Sequence, residues 1–127
     1  MLTSLAAYVF VSLIAVVVLF QLALSAGAPW GAITMGGRFS GIFPTPMRIA
    51  ALVQALILTL LGLIVPIRAR LFLPDFYSIS EVGIWVVVVV FILSLIMNLA
   101  TPSKWERIIW APLVAILVVC ALLVAIL

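Results

Sequence analysis

Residues 82–100 run Val82-Gly83-Ile84-Trp85-Val86-Val87-Val88-Val89-Val90-Phe91-Ile92-Leu93-Ser94-Leu95-Ile96-Met97-Asn98-Leu99-Ala100 without a charged side chain. In a soluble protein, the valine run Val86 to Val90 would read as a buried strand. A lone strand in lipid leaves its N–H and C=O groups without partners, whereas a helix pairs them within the segment, so helix is the required reading. At about 1.5 Å rise per residue, roughly 20 apolar residues cross a hydrocarbon core about 30 Å thick, with a working range of about 17–25. This stretch qualifies as a short, upright span.

The same test divides the rest of the chain. No charge precedes Arg38, none lies between Arg48 and Arg68, and none follows Arg107. Apolar segments therefore fall at about 4–25, 49–67 and 108–127, the last extending back to about 104 through its first turn. The expected architecture is all-α: an integral membrane four-helix bundle forming one transmembrane domain over residues 1–127.

Composition agrees. Of 127 residues, 69% are hydrophobic and 7% charged, against roughly 45–50% and about 25% in an average soluble domain. That excludes an ordinary soluble domain. With no His in the chain, histidine bases and histidine metal sites are excluded, and neither a metal nor a cofactor is expected. The net charge of +3 rests on six cations spread over three stretches. Nucleic-acid binding needs a concentrated basic patch, so no nucleic-acid partner is expected; the expected partners are the bilayer and a second membrane protein or another copy of this chain. Cys120, alone in an apolar run, can form no internal disulfide.

Helix starts carry their own signals. Thr45-Pro46 and Thr101-Pro102 set a hydroxyl before a proline, and Ser78 with Glu81, and Ser103 with Glu106, fit the Ser-x-x-Glu capping box. On this reading the turn Lys104-Trp105-Glu106-Arg107 lies at the membrane interface. Ala51, Ala55, Thr59 and Gly62 give the second helix a small-residue face for close packing. Trp30, Trp105 and Trp110 read as one interfacial aromatic belt, and Phe76, Tyr77 and Trp85 as the other. Asp75, Glu81, Arg68 and Arg70 make a mixed-charge second loop.

The first loop is unusual. Residues 26–47 hold Gly27, Gly31, Gly36, Gly37 and Gly41 with Pro29, Pro44 and Pro46, yet one charge, Arg38. A disordered loop would be poor in large apolar groups; Trp30, Ile33, Met35, Phe39, Ile42 and Phe43 point to an ordered one. Gly36-Gly37 also fits the two-residue turn of a short β-hairpin. The plainer reading is a structural lid. The sharper one is a ligand-binding or gating loop; a P-loop is excluded because no Gly-Lys-Ser/Thr follows the glycines.

Polar residues inside the spans add a second clue. Chain direction puts Gln21, Gln54, Ser94 and Asn98 in one leaflet, beneath the Gly-rich loop, and Ser94 and Asn98 share a helix face. With Trp30, Arg38 and Arg48 above them, they form the candidate ligand-binding set. The plainer alternative has these groups hydrogen-bonding across helix interfaces, worth about 0.6 kcal/mol each.

The stretch Gly27-Ala28-Pro29-Trp30-Gly31, followed by Gly36-Gly37-Arg38 and Pro44-x-Pro46-x-Arg48, resembles small bacterial four-helix membrane proteins that share an Ala-Pro-Trp-Gly loop after the first helix. The resemblance implies a bacterial membrane location and no activity. Small multidrug-resistance transporters differ by an embedded Glu in the first helix, where this chain offers Gln21. Fluoride channels carry helix motifs that this chain lacks, and four-helix sterol isomerases rely on intramembrane His and acids.

Three functions are therefore ordered. Without ionisable groups in the spans, the usual mark of proton and ion pathways, the first is a non-catalytic membrane subunit or accessory binding protein. The second is a small transporter or channel for a neutral or weakly polar solute. The third is a lipid-modifying enzyme using Glu106, Asp75 or Glu81. Loops one and three hold Arg38, Arg48, Lys104 and Arg107 against Arg68 and Arg70 opposite, which favours both termini outside the cell membrane. Ala26-Gly27-Ala28 has the form of a signal-peptide cleavage site, but no Lys or Arg precedes the apolar run and that run exceeds the usual 7–15 residues. N-terminal sequencing of membrane-extracted protein is therefore expected to begin ahead of the first helix; a start near Pro29 refutes the four-span reading.

Overall fold

The computed structural model describes residues 1–127 as four helices: α1 (Leu2–Ala26), α2 (Thr45–Arg68), α3 (Tyr77–Ala100) and α4 (Lys104–Ile126). All four are long and apolar enough to cross a membrane. Two of them start earlier than the apolar runs. Helix α2 begins at Thr45 and α3 at Tyr77, because a charge such as Arg48 or Glu81 ends an apolar stretch without interrupting backbone hydrogen bonding.

Helix α1 packs most extensively on α2, and α3 on α4, with α1 against α4 and α2 against α3 closing the ring. The main core lies towards the ends remote from loop one. Ala7, Phe10, Ile84, Val87, Leu117, Ala121 and Val124 are buried there, and Phe10 meets Phe91 edge-on at 5.6 Å. Ala51, Ala55 and Gly62 are buried as the small-residue face requires, while Thr59 is exposed and returns its hydroxyl to the Ala55 carbonyl (2.8 Å). The second loop forms no ion pair. Arg70 instead lies over the Tyr77 ring (3.9 Å to the centroid), and Arg68 donates to the Ala125 carbonyl (3.3 Å) at the end of α4.

Loop one is ordered, but it is not a hairpin. It forms two 3-10 turns, Gly31–Ile33 and Met35–Gly37, with Gly36 and Gly37 at φ of 67° and 77°. A hairpin would pair its strands internally. Here the carbonyls of residues 32 and 33 and the N–H of residue 36 are taken by side chains of α4 and the residue that caps it, and local turn bonds such as Gly37 N–H to the Thr34 carbonyl take the place of a ladder. One cross-loop bond remains, from Gly31 N–H to the Gly41 carbonyl (2.9 Å).

Only one of the four expected capping signals engages its helix in the expected way. Thr45 starts α2 without a side-chain bond, and α3 is preceded by Phe76, leaving Ser78 and Glu81 exposed. Thr101 does not cap α4 directly; its hydroxyl accepts from the Ser103 N–H (3.2 Å). Ser103 caps α4, accepting from the Glu106 N–H (3.3 Å).

Gly31 is the tightest point of the loop. A Cβ there would sit 1.8 Å from the Phe39 carbonyl oxygen and 2.9 Å from that of Gly41. Gly31→Ala is expected to cost about 3 kcal/mol or more by forcing backbone apart, read as a lowered thermal midpoint in detergent. Ser103→Ala should cost about 1 kcal/mol through the lost cap.

Candidate functional site

Loop one is bolted to the start of α4. Ser103 Oγ donates to the Ala32 carbonyl (2.9 Å), Trp110 Nε1 donates to the Ile33 carbonyl (2.8 Å), and the Gly36 N–H donates to Glu106 Oε2 (3.2 Å). Trp110 is half-buried and packs on Phe20 (4.7 Å between centroids). It is thus an anchor of the loop, not a member of the aromatic belt.

Beneath this lid lies a chamber of about 120 Å³ whose polar lining is Gln21, Thr34, Gln54, Ser94, Asn98 and Glu106. The rest of its wall is apolar and aromatic, with Phe20, Phe91 and Trp110 among the lining residues. At ~30 Å³ per molecule the space matches about four waters. The chamber adjoins a larger groove, about 990 Å³, between α2 and α3; Thr34, Gln54, Leu58, Phe91, Ser94, Asn98 and Glu106 line both. Past the polar end the groove walls are apolar, among them Val53, Ile57, Leu61, Val90, Leu93 and Met97.

The four polar residues of the spans therefore meet. Chain direction gave the reason: Gln21, Ser94 and Asn98 lie in the last turns of α1 and α3, and Gln54 about 14 Å along α2 at ~1.5 Å per residue. They do not bond across helices. Asn98 Nδ2 donates within α3 to the Ser94 carbonyl (2.7 Å) and Ser94 Oγ (3.3 Å). Gln21, 7% exposed, makes no hydrogen bond within the chain, and its amide faces the chamber.

The three other candidates lie elsewhere. Arg48 Nε donates to the Ser25 carbonyl (2.8 Å), closing the C-terminal turn of α1, where a cation suits the helix dipole. Arg38 is exposed and lines neither space. Trp30 stacks on Phe20 (6.0 Å, 8° between planes) from outside the chamber.

Glu106 replaces them, and it corrects the expectation that the spans enclose no acid. Although it stands in the first turn of α4, its side chain is 8% exposed and points into the bundle. The capping box explains the misreading. Ser103 caps the Glu106 N–H, but the Ser103 N–H is already satisfied by Thr101 Oγ1. Freed from that duty, the carboxylate turns inward to Gly36. A sequence signal for this exists: Glu106, Trp110, Val114 and Leu117 fall at helical i, i+4, i+8, i+11 spacing on one face of α4. Arg107, its neighbour, donates to the Thr101 carbonyl instead.

No protein-family model, curated protein or solved structure matches the chain. Trp110→Phe keeps the ring and removes the bond to Ile33. Losing about 1 kcal/mol of docking should raise proteolytic cleavage within residues 31–41 about fivefold, while Trp105→Phe, on an exposed face, leaves the rate unchanged.

Proposed function

We propose that this chain is a non-catalytic binding protein embedded in the membrane, and that it takes an amphipathic molecule with its apolar tail between α2 and α3 and its polar head under loop one. The observation that carries this reading is the shared, mostly polar wall of groove and chamber, seven residues lining both. The tail region is apolar, and the polar groups gather at one end. That is the distribution of polarity along an amphiphile. A groove of about 990 Å³ also stands at the upper end of the range of ligand sites, about 300–1,000 Å³.

A second groove offers a contrast. About 520 Å³ lies between α1 and α2, lined by Val11, Ile14, Val18, Leu63 and their neighbours, with no polar end of this kind. It has the character of an ordinary lipid-facing furrow. The transporter reading is less well supported, because the chamber floor is Phe91, Val114 and Leu117 and the packed core continues beyond it. For catalysis, Glu106 has no histidine, lysine or cysteine beside it in the chamber to complete an acid–base or nucleophilic pair.

We place the protein in the inner membrane of a bacterium, with loops one and three in the cytoplasm and both termini outside. The loop resemblance and the four-against-two bias of cations support this. The chamber then opens in the cytoplasmic leaflet, and a C-terminal reporter fusion should report an external terminus.

The binding reading is tested with a photoreactive long-chain alcohol in reconstituted bilayers. Labelling is expected to concentrate on residues 53–61 and 90–97 and to fall severalfold in Ile57→Trp, which fills the groove. Val11→Trp, in the other groove, should leave it unchanged. Labelling spread evenly over the lipid-facing sides of all four helices would refute the reading.

A further inference from the structure

We infer that the head group this chamber selects is a cation, specifically a protonated amine borne on an apolar chain, with Glu106 as its counter-charge. This rests on the amphiphile-binding reading and narrows its ligand. The starting point is electrostatic. A carboxylate withdrawn from water is costly unless it is paired and its lone pairs are satisfied, and a carboxylate offers about four acceptor sites. Glu106, 8% exposed, has one protein donor, the Gly36 N–H. No Lys, Arg or terminal amine lies within 4.0 Å of its oxygens.

Every cation of the chain is placed elsewhere. Arg48 is tied to Ser25 and Arg107 to Thr101. Arg68 and Arg70 lie at the opposite end of the bundle, on Ala125 and Tyr77. Arg38 and Lys104 are exposed, and none of the six lines the chamber. The formal charge of the chamber is therefore that of one carboxylate, with no counter-charge from the protein.

The remaining lining is built for the same guest. The amides of Gln21 and Gln54 and the oxygen of Asn98 offer acceptors with no partner in the chain, beside the Ser94 hydroxyl. An ammonium group donates and does not accept, so it can bond these oxygens together with the Glu106 carboxylate. Phe20, Phe91 and Trp110 are part of the same lining, and an aromatic ring whose face meets a cation attracts it by its quadrupole, more strongly when water is excluded. A carboxylate or phosphate head would instead meet the like charge of Glu106. With about 120 Å³ available, a primary or small substituted ammonium fits, and its chain leaves through the α2–α3 groove.

The test compares three ligands of equal chain length, radiolabelled dodecylamine, dodecanol and dodecanoate, for saturable binding to the full chain in phosphatidylcholine nanodiscs. Dodecylamine is expected to bind at least tenfold more tightly than the other two. Glu106→Gln keeps an oxygen for Gly36 and removes the charge, so in that variant dodecylamine should lose its advantage over dodecanol. The wild-type comparison stands even if that variant fails to fold. Equal affinity for all three ligands, or a folded Glu106→Gln chain that still prefers the amine, overturns the cation assignment while the binding reading survives. Saturable binding of none overturns both.

Discussion

Loop one carries carbonyl and amide groups that no α-helix or sheet ladder satisfies, and three of them are bonded by side chains from elsewhere in the chain. The partners come from a short segment, Ser103 to Trp110, which supplies a hydroxyl, a carboxylate and an indole N–H to residues 32, 36 and 33. These three bonds hold the loop as a lid. They also orient Glu106 and Trp110 into the space below, so the shape of the chamber and the satisfaction of the loop backbone are one constraint. The Phe20 ring, held between Trp30 and Trp110, joins α1 to the same assembly.

The bundle is unevenly packed. At the far end, Phe10, Ile84, Val87 and Leu117 fill the centre with apolar side chains. Near loop one, Gln21, Gln54, Ser94 and Asn98 line the chamber, and the groove between α2 and α3 extends from there past Val53, Ile57 and Leu93. The polar side chains of the spans thus mark one end of the opening and set what that end can bind.

Much of this was legible in the sequence. Four spans follow from where Arg38, Arg48, Arg68 and Lys104 interrupt the apolar runs, and the meeting of Gln21, Gln54, Ser94 and Asn98 follows from chain direction and helical rise. The conformation of loop one was not, because its turns depend on groups roughly seventy residues away in the chain. Local signals such as Gly36-Gly37 equally suit a hairpin. Glu106 was hidden by a motif that is half made: Ser103 caps as the capping box demands, while Thr101 takes the place that Glu106 would have filled. Arg48 lies apart from the chamber for a simpler reason. A cation near a candidate site can equally serve the end of a helix, and Ser25 shows that it does.

The separation of the lid from its anchors has a consequence for assembly. The bonds that fix loop one span sequence separations of 70, 71 and 77 residues, so they form only after α4 has entered the membrane. Until then the loop emerges as an unpaired segment beside α1 and α2, restrained chiefly by Arg48 on Ser25. Long-range contacts of this kind form late because they close long stretches of chain. The chamber is accordingly the last part of the protein to acquire its shape, and a nascent chain halted after α3 would carry its polar residues in the membrane without the roof that encloses them.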